Sequence, residues 1–98
     1  MANVSLKFIP AALIAYEHNV LKPQIGGLFI TPSFLAYNYL TDKFEQWFEA
    51  NTADGWVEMR DSWMNVTYGN YGEPSSVDFE FNITSEAVLF KLTFSGAV

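Results

Sequence analysis

The sequence predicts a small α+β domain on a mainly antiparallel sheet, with a C-terminal β-hairpin and one amphipathic helix near residues 32–50. Three observations carry that expectation. Apolar and polar residues alternate through 76–84 and again through 88–95. A proline-led segment upstream repeats its apolar residues at three-and-four spacing, and turn-forming residues separate the two regions. At 98 residues the chain is one domain, 1–98, large enough for a single core. Half of its residues are apolar, which opposes intrinsic disorder.

From the N-terminus, Val4, Leu6 and Phe8 alternate with Ser5 and Lys7, so a first strand is expected up to Pro10, which removes a ladder donor. Residues 11–19 fit two patterns. Pro10 suits the first turn of a helix, whereas Leu13, Ala15 and Glu17 suit extended pairing, and the extended form is favoured. Lys22-Pro23 and Gly26-Gly27 mark a turn, followed by a short strand at 28–30.

Thr31-Pro32 has the chemistry of a helix start: a hydroxyl to cap free amides, then a proline whose missing N–H is harmless at the first position. Tyr37, Leu40, Phe44, Trp47 and Phe48 then share one face, with Asp42, Glu45, Gln46 and Glu49 largely on the other. A start at Thr41 is the alternative. Residues 55–71 fit two short strands broken at Asp61-Ser62, or a helical turn through 58–64, before the turn-rich stretch 69–75. Val77, Phe79, Phe81 and Ile83 predict one half-buried strand. Val88, Phe90, Leu92 and Phe94 predict its antiparallel partner across a break at 84–86.

Charge divides the chain. Between residues 1 and 41 only Lys7, Glu17 and Lys22 are charged, whereas residues 42–86 hold ten of the eleven acids against Lys43 and Arg60. A small domain exposes much of its surface, so a nearly uncharged half is expected to meet protein as well as water. Phe8, Leu13, Ile14, Leu28, Phe29 and Phe34 are the candidate interface residues.

Several functions find no support. The net charge of −6 and five unclustered bases oppose nucleic acid as a partner. With no cysteine there is no disulfide framework and no thiolate zinc site. The uncharged run 23–41 is interrupted by Gln24, Gly26, Gly27, Pro32 and Asn38, so no membrane span is expected. Lys7 followed by apolar residues imitates a secretory leader, but Pro10 breaks it, and secretion by that route is not expected. The sequence leaves the setting open, with a virion and a host cytoplasm as candidates.

Catalytic material is scarce. His18 is the sole histidine and no serine stands in a nucleophile elbow, so no relay is expected. Asp78 and Glu80 share a strand face, and Glu58 and Asp61 are close in sequence. Such pairs can hydrolyse glycosides, but the alternation is also what a solvated face produces. Asn51, Asp54 and Glu58 do not follow calcium-loop spacing, and no metal or cofactor is expected. The sequons at Asn3, Asn65 and Asn82 are read as strand composition.

These readings rank as follows. First stands a non-catalytic, non-enzymatic assembly protein contacting itself as a homo-oligomer, or another protein, of the kind found in virion shells, decorations or tails. Second stands a small acidic inhibitor or adaptor that binds a basic partner through Asp42, Glu45, Glu49, Asp54, Glu58 and Asp61. Third is a carbohydrate-binding module. It would stack sugars on Tyr68 and Tyr71, with Trp56 and Trp63 left to the core.

Overall fold

The computed structural model describes residues 2–26, 29–56, 64–94 and 96–98 and shows an α+β fold. Strand β1 (Ala2–Lys7) is followed by helices α1 (Pro10–Tyr16), α2 (Lys22–Ile25) and α3 (Pro32–Asn51). Strands β2 (Met64–Tyr68) and β3 (Pro74–Phe81) and helix α4 (Thr84–Thr93) complete it. The three strands form one antiparallel sheet in the order β1-β3-β2. Ala2 faces Phe81 and Lys7 faces Ser76 across β1 and β3, while Met64 faces Phe79 across β2 and β3.

Period-two alternation makes this sheet two-sided. Val4 and Leu6 of β1 and Val77, Phe79 and Phe81 of β3 are buried against the helices. Ser5, Lys7 and Asp78 point to the other face, where the Ser5 hydroxyl donates to the Asp78 carboxylate. On the helix side, Phe44, Phe48, Phe79 and Phe90 meet with ring centroids 5.0 to 5.6 Å apart. Tilted and edge-on rings at such spacing add to the stabilisation from burial alone.

Helix α3 forms as its local chemistry dictates. The Thr31 hydroxyl accepts from the Phe34 N–H at 3.1 Å, Pro32 opens the first turn, and Ala36, Tyr39, Leu40, Phe44 and Phe48 make the buried stripe. The start at Thr41 is not used. Its hydroxyl instead donates to the Tyr37 carbonyl inside the helix.

Three local expectations are corrected. Residues 11–19, expected as extended, are helical within a run that spans Pro10–Ile25, with Pro10 at the first turn and Leu13 and Leu21 buried. A wide π-type turn, Glu17–Leu21, joins α1 to α2, and the Lys22 N–H donates to the Glu17 carbonyl. Pro23 explains the widening: it has no N–H to close an ordinary turn, and its ring crowds the carbonyl four residues back. Phe29 and Ile30 lie outside any strand, and Leu28 is outside the described residues.

The third correction concerns the C-terminal hairpin. A hairpin is present, but its strands are β2 and β3, joined by the turn in which the Gly69 N–H donates to the Glu73 carbonyl at 2.7 Å. Residues 84–93, expected as the second strand, are helix α4. Ala87 and Phe90 of the helix and Phe94 at its C-terminal end recur at three-and-four spacing, which lays them over the core. Glu86 in its first turn and Lys91 in its last complement the helix dipole. Of the two short strands expected across 55–71, the second is β2, Met64–Tyr68, while residues 57–63 lie outside the described residues and Trp56 is buried in the core.

The chain's end returns to the sheet. Lys7 N–H donates to Gly96 O at 2.9 Å, Val98 N–H to Lys7 O at 2.8 Å, and Ile9 N–H to Val98 O at 2.7 Å. Residues 96–98 thus run parallel to the end of β1 along its outer edge.

Candidate functional site

The six candidate interface residues separate. Phe8 and Leu13 are core residues, Phe8 with its ring 6.1 Å from that of Tyr39, so neither offers a surface. The N-terminal part of the chain lacks charge partly because β1, α1 and the first half of α3 supply the core. Ile14, Phe34 and above all Phe29, 85% exposed, do stand at the surface. Ile14 projects from α1, Phe34 from the first turn of α3, and Phe29 precedes that turn. Leu28 lies outside the described residues.

The acidic candidates are less uniform than their spacing implies. Asp42, Glu45 and Glu49 follow one another along the exposed side of α3, and Asp54 is exposed in the loop beyond it. Two of them hold the fold. The Tyr16 hydroxyl donates to the Asp42 carboxylate and lies 3.1 Å from the Asn38 carbonyl, which ties α1 to α3. Burial, reinforced by the Asp42 carboxylate, raises the Tyr16 pKa far above its ordinary value. Glu49 accepts from the Trp56 N–H at 3.1 Å and closes the loop after α3. In that loop Gly55 has φ +66°, and a Cβ there would come within 2.7 Å of a Glu49 carboxylate oxygen. Glu86 of α4 reaches the same loop and accepts from the Ala53 N–H at 2.9 Å. Glu58 and Asp61 lie outside the described residues.

Tyr68 and Tyr71 sit on the β2–β3 hairpin. Tyr71 is 96% exposed at its tip, where its N–H donates to Glu73 Oε2 at 2.9 Å. Tyr68 is directed towards the start of α3, its hydroxyl donating to Ser33 Oγ at 3.3 Å. His18 is exposed in the wide turn after α1. Among the described residues no polar or charged residue is buried, and no group of three His, Asp or Glu side chains could hold a metal ion. Among the same residues no helix is long and apolar enough to cross a membrane.

A surface not anticipated from the sequence lies on α4. Its inner face carries Ala87 and Phe90, but Val88, Leu89 and Leu92 are exposed on the outside, Leu92 at 79%. Ordinary surface helices carry polar residues there. The unbroken run Ala87-Val88-Leu89-Phe90 was the available signal, because a half-buried strand would have shown a polar residue at position 89. No known family model matches this chain, and neither curated proteins nor solved structures show a detectable similarity to it. The surfaces themselves are the basis for a functional reading.

Proposed function

We propose that this protein is a non-catalytic assembly protein acting through protein–protein contacts, with a virion shell, decoration or tail as the type of structure it suits. One observation carries this reading. Large apolar side chains stand exposed, Ile14, Phe29 and Phe34 among the N-terminal elements and Val88, Leu89 and Leu92 together along α4. Single exposed leucines are ordinary, whereas grouped apolar exposure on a small monomer marks an interaction surface. Aromatic and aliphatic groups with few charges are also the composition of interface centres.

The test is solution mass by light scattering after size exclusion, across protein concentration and salt, with Phe29→Glu beside the wild type. Apolar assembly predicts an oligomer that salt leaves intact. A partner-binding acidic protein predicts a monomer that captures basic proteins only at low ionic strength. The engagement of Asp42 and Glu49 inside the fold favours the first reading over the second.

A further inference from the structure

The outer edge of β1 is open along part of its length. Phe8 N–H points inward to Ser75 O at 3.0 Å, whereas Lys7 and Ile9 donate outward to the chain's own C-terminal residues. By strand alternation the backbone groups of Asn3 and Ser5 also point outward. Among the described residues no backbone partner lies on that side of them. The C-terminal residues close one end of this edge and leave a two-residue template at the other.

Helix α4 overhangs the same edge. Its side turned to α3 is defined by Phe90 and Phe94, whose rings lie 4.9 to 5.9 Å from those of Phe44 and Trp47, and by Glu86 bonded to Ala53. In a helix of 3.6 residues per turn, Val88 and Leu92 fall on the opposite side. Helix α3 lies over β3 and reaches β2 through Ser33 and Tyr68, while α4 packs on β1 and β3. The side of α4 away from α3 is therefore the side of the open β1 edge.

We propose that a second copy of this chain occupies this edge, with β1 pairing antiparallel to its own copy and α4 meeting α4 above the joint sheet. This rests on the assembly reading and names its surface and partner. The register is self-complementary. With Val4 on the two-fold axis, Asn3 of each chain faces Ser5 of the other, and the two pairs form four backbone hydrogen bonds. A register centred on Ser5 would place Asn3 opposite Lys7, whose outward groups are already taken by Gly96 and Val98.

The axis also carries α4 to the same face of the six-stranded sheet, so Val88 and Leu92 of both copies converge. Charge allows this approach despite a net charge of −6, because β1 carries only Lys7, Lys91 flanks the α4 stripe, and Asp42, Glu45 and Glu49 lie on α3. A standard interface buries about 800 Å² per partner, and strand pairing and the α4 stripe would both contribute to it. The dimer is expected to dissociate in the micromolar range.

The test follows the dimer, twice the 11.1 kDa chain mass, by sedimentation over a concentration series with Asn3→Pro and Leu92→Glu. Proline at position 3 removes an outward N–H that has no backbone partner among the described residues, and Leu92 is exposed, so circular dichroism should stay unchanged. The two-fold axis counts each substitution twice, and each should raise Kd about tenfold or more. Amide exchange at Asn3 and Ser5 should slow as protein concentration rises. An oligomer indifferent to both variants, with those amides still exchanging freely, would overturn this geometry and leave the assembly reading standing. A monomer up to millimolar concentration would overturn self-assembly altogether.

Discussion

Helices α3 and α4 share one aromatic seam and differ on their outer faces. Trp47 and Phe48 of α3 meet Phe90 of α4 at 5.1 and 5.5 Å, and Phe94 adds a second contact to Trp47 at 5.9 Å. Outward, α3 presents Asp42, Glu45 and Glu49, whereas α4 presents Val88, Leu89 and Leu92. The same fold has thus finished one helix for water and left the other unfinished. Stability resides in the seam, and the difference between the outer faces is what the proposed partner surface on α4 rests on.

The seam is the largest effect to test. Phe90 is fully buried and touches Phe44, Trp47, Phe48, Phe79 and Phe81. Phe90→Ala should cost about 3–5 kcal/mol in urea unfolding, a large share of what a domain this size has. A loss below about 1 kcal/mol would mean that α4 is not held by this seam and that its outer face cannot be read as outward.

Next comes the loop that both helices hold through a carboxylate. Glu49→Ala removes the acceptor of the Trp56 N–H, and Glu86→Ala that of the Ala53 N–H. Each is expected to cost about 1 kcal/mol, at the low end for charge-assisted bonds because these sites are partly wet. Glu45→Ala, with an exposed carboxylate in the same row of α3, should stay within about 0.5 kcal/mol. Equal effects at positions 45 and 49 would erase the distinction between structural and solvating acids.

A pH series sharpens the α1–α3 contact. The folded state keeps the Tyr16 phenol protonated beyond the pKa of about 10 that it has when unfolded, so the unfolded chain ionises first. Stability should hold below about pH 10 and fall as pH rises above it. Tyr39, raised in the same direction by burial, contributes to the same slope. Urea titrations of Tyr16→Phe should show a shallower alkaline decline than wild type. An unchanged slope would assign the whole effect to Tyr39 or to other groups.

How much of this was legible in the chain depended on whether a signal was local. Helix α3 was, because Thr31, Pro32 and the Tyr37 to Phe48 spacing agree at every level. Strands β1 and β3 were, through alternation. The stretch at 10–25 was not, because Pro10 and Leu13 are compatible with either backbone until Leu13 and Leu21 are seen to pack. Low charge in the N-terminal half pointed alike to the exposed Ile14, Phe29 and Phe34 and to the buried Phe8 and Leu13, since core and interface share a composition. The misreading of α4 is the most informative. Its apolar outer face removed the amphipathic contrast that identifies a helix, so the feature that hid the element is also the candidate surface.

The smallest expected effect on folding is therefore the most telling about α4. Leu92→Ser exchanges an apolar side chain, 79% exposed, for a small polar one and leaves Ala87 and Phe90 in place. If α4's outer face belongs to a partner, the folded monomer gains little from Leu92, and urea unfolding at low concentration should shift by less than about 0.5 kcal/mol. Soluble yield and the concentration at which association begins should both rise. Were Leu92 instead covered within the chain, the same substitution would cost about 1–3 kcal/mol with no change in association. Stability measured at two protein concentrations separates these outcomes, because only an interface residue makes the wild-type advantage grow with concentration.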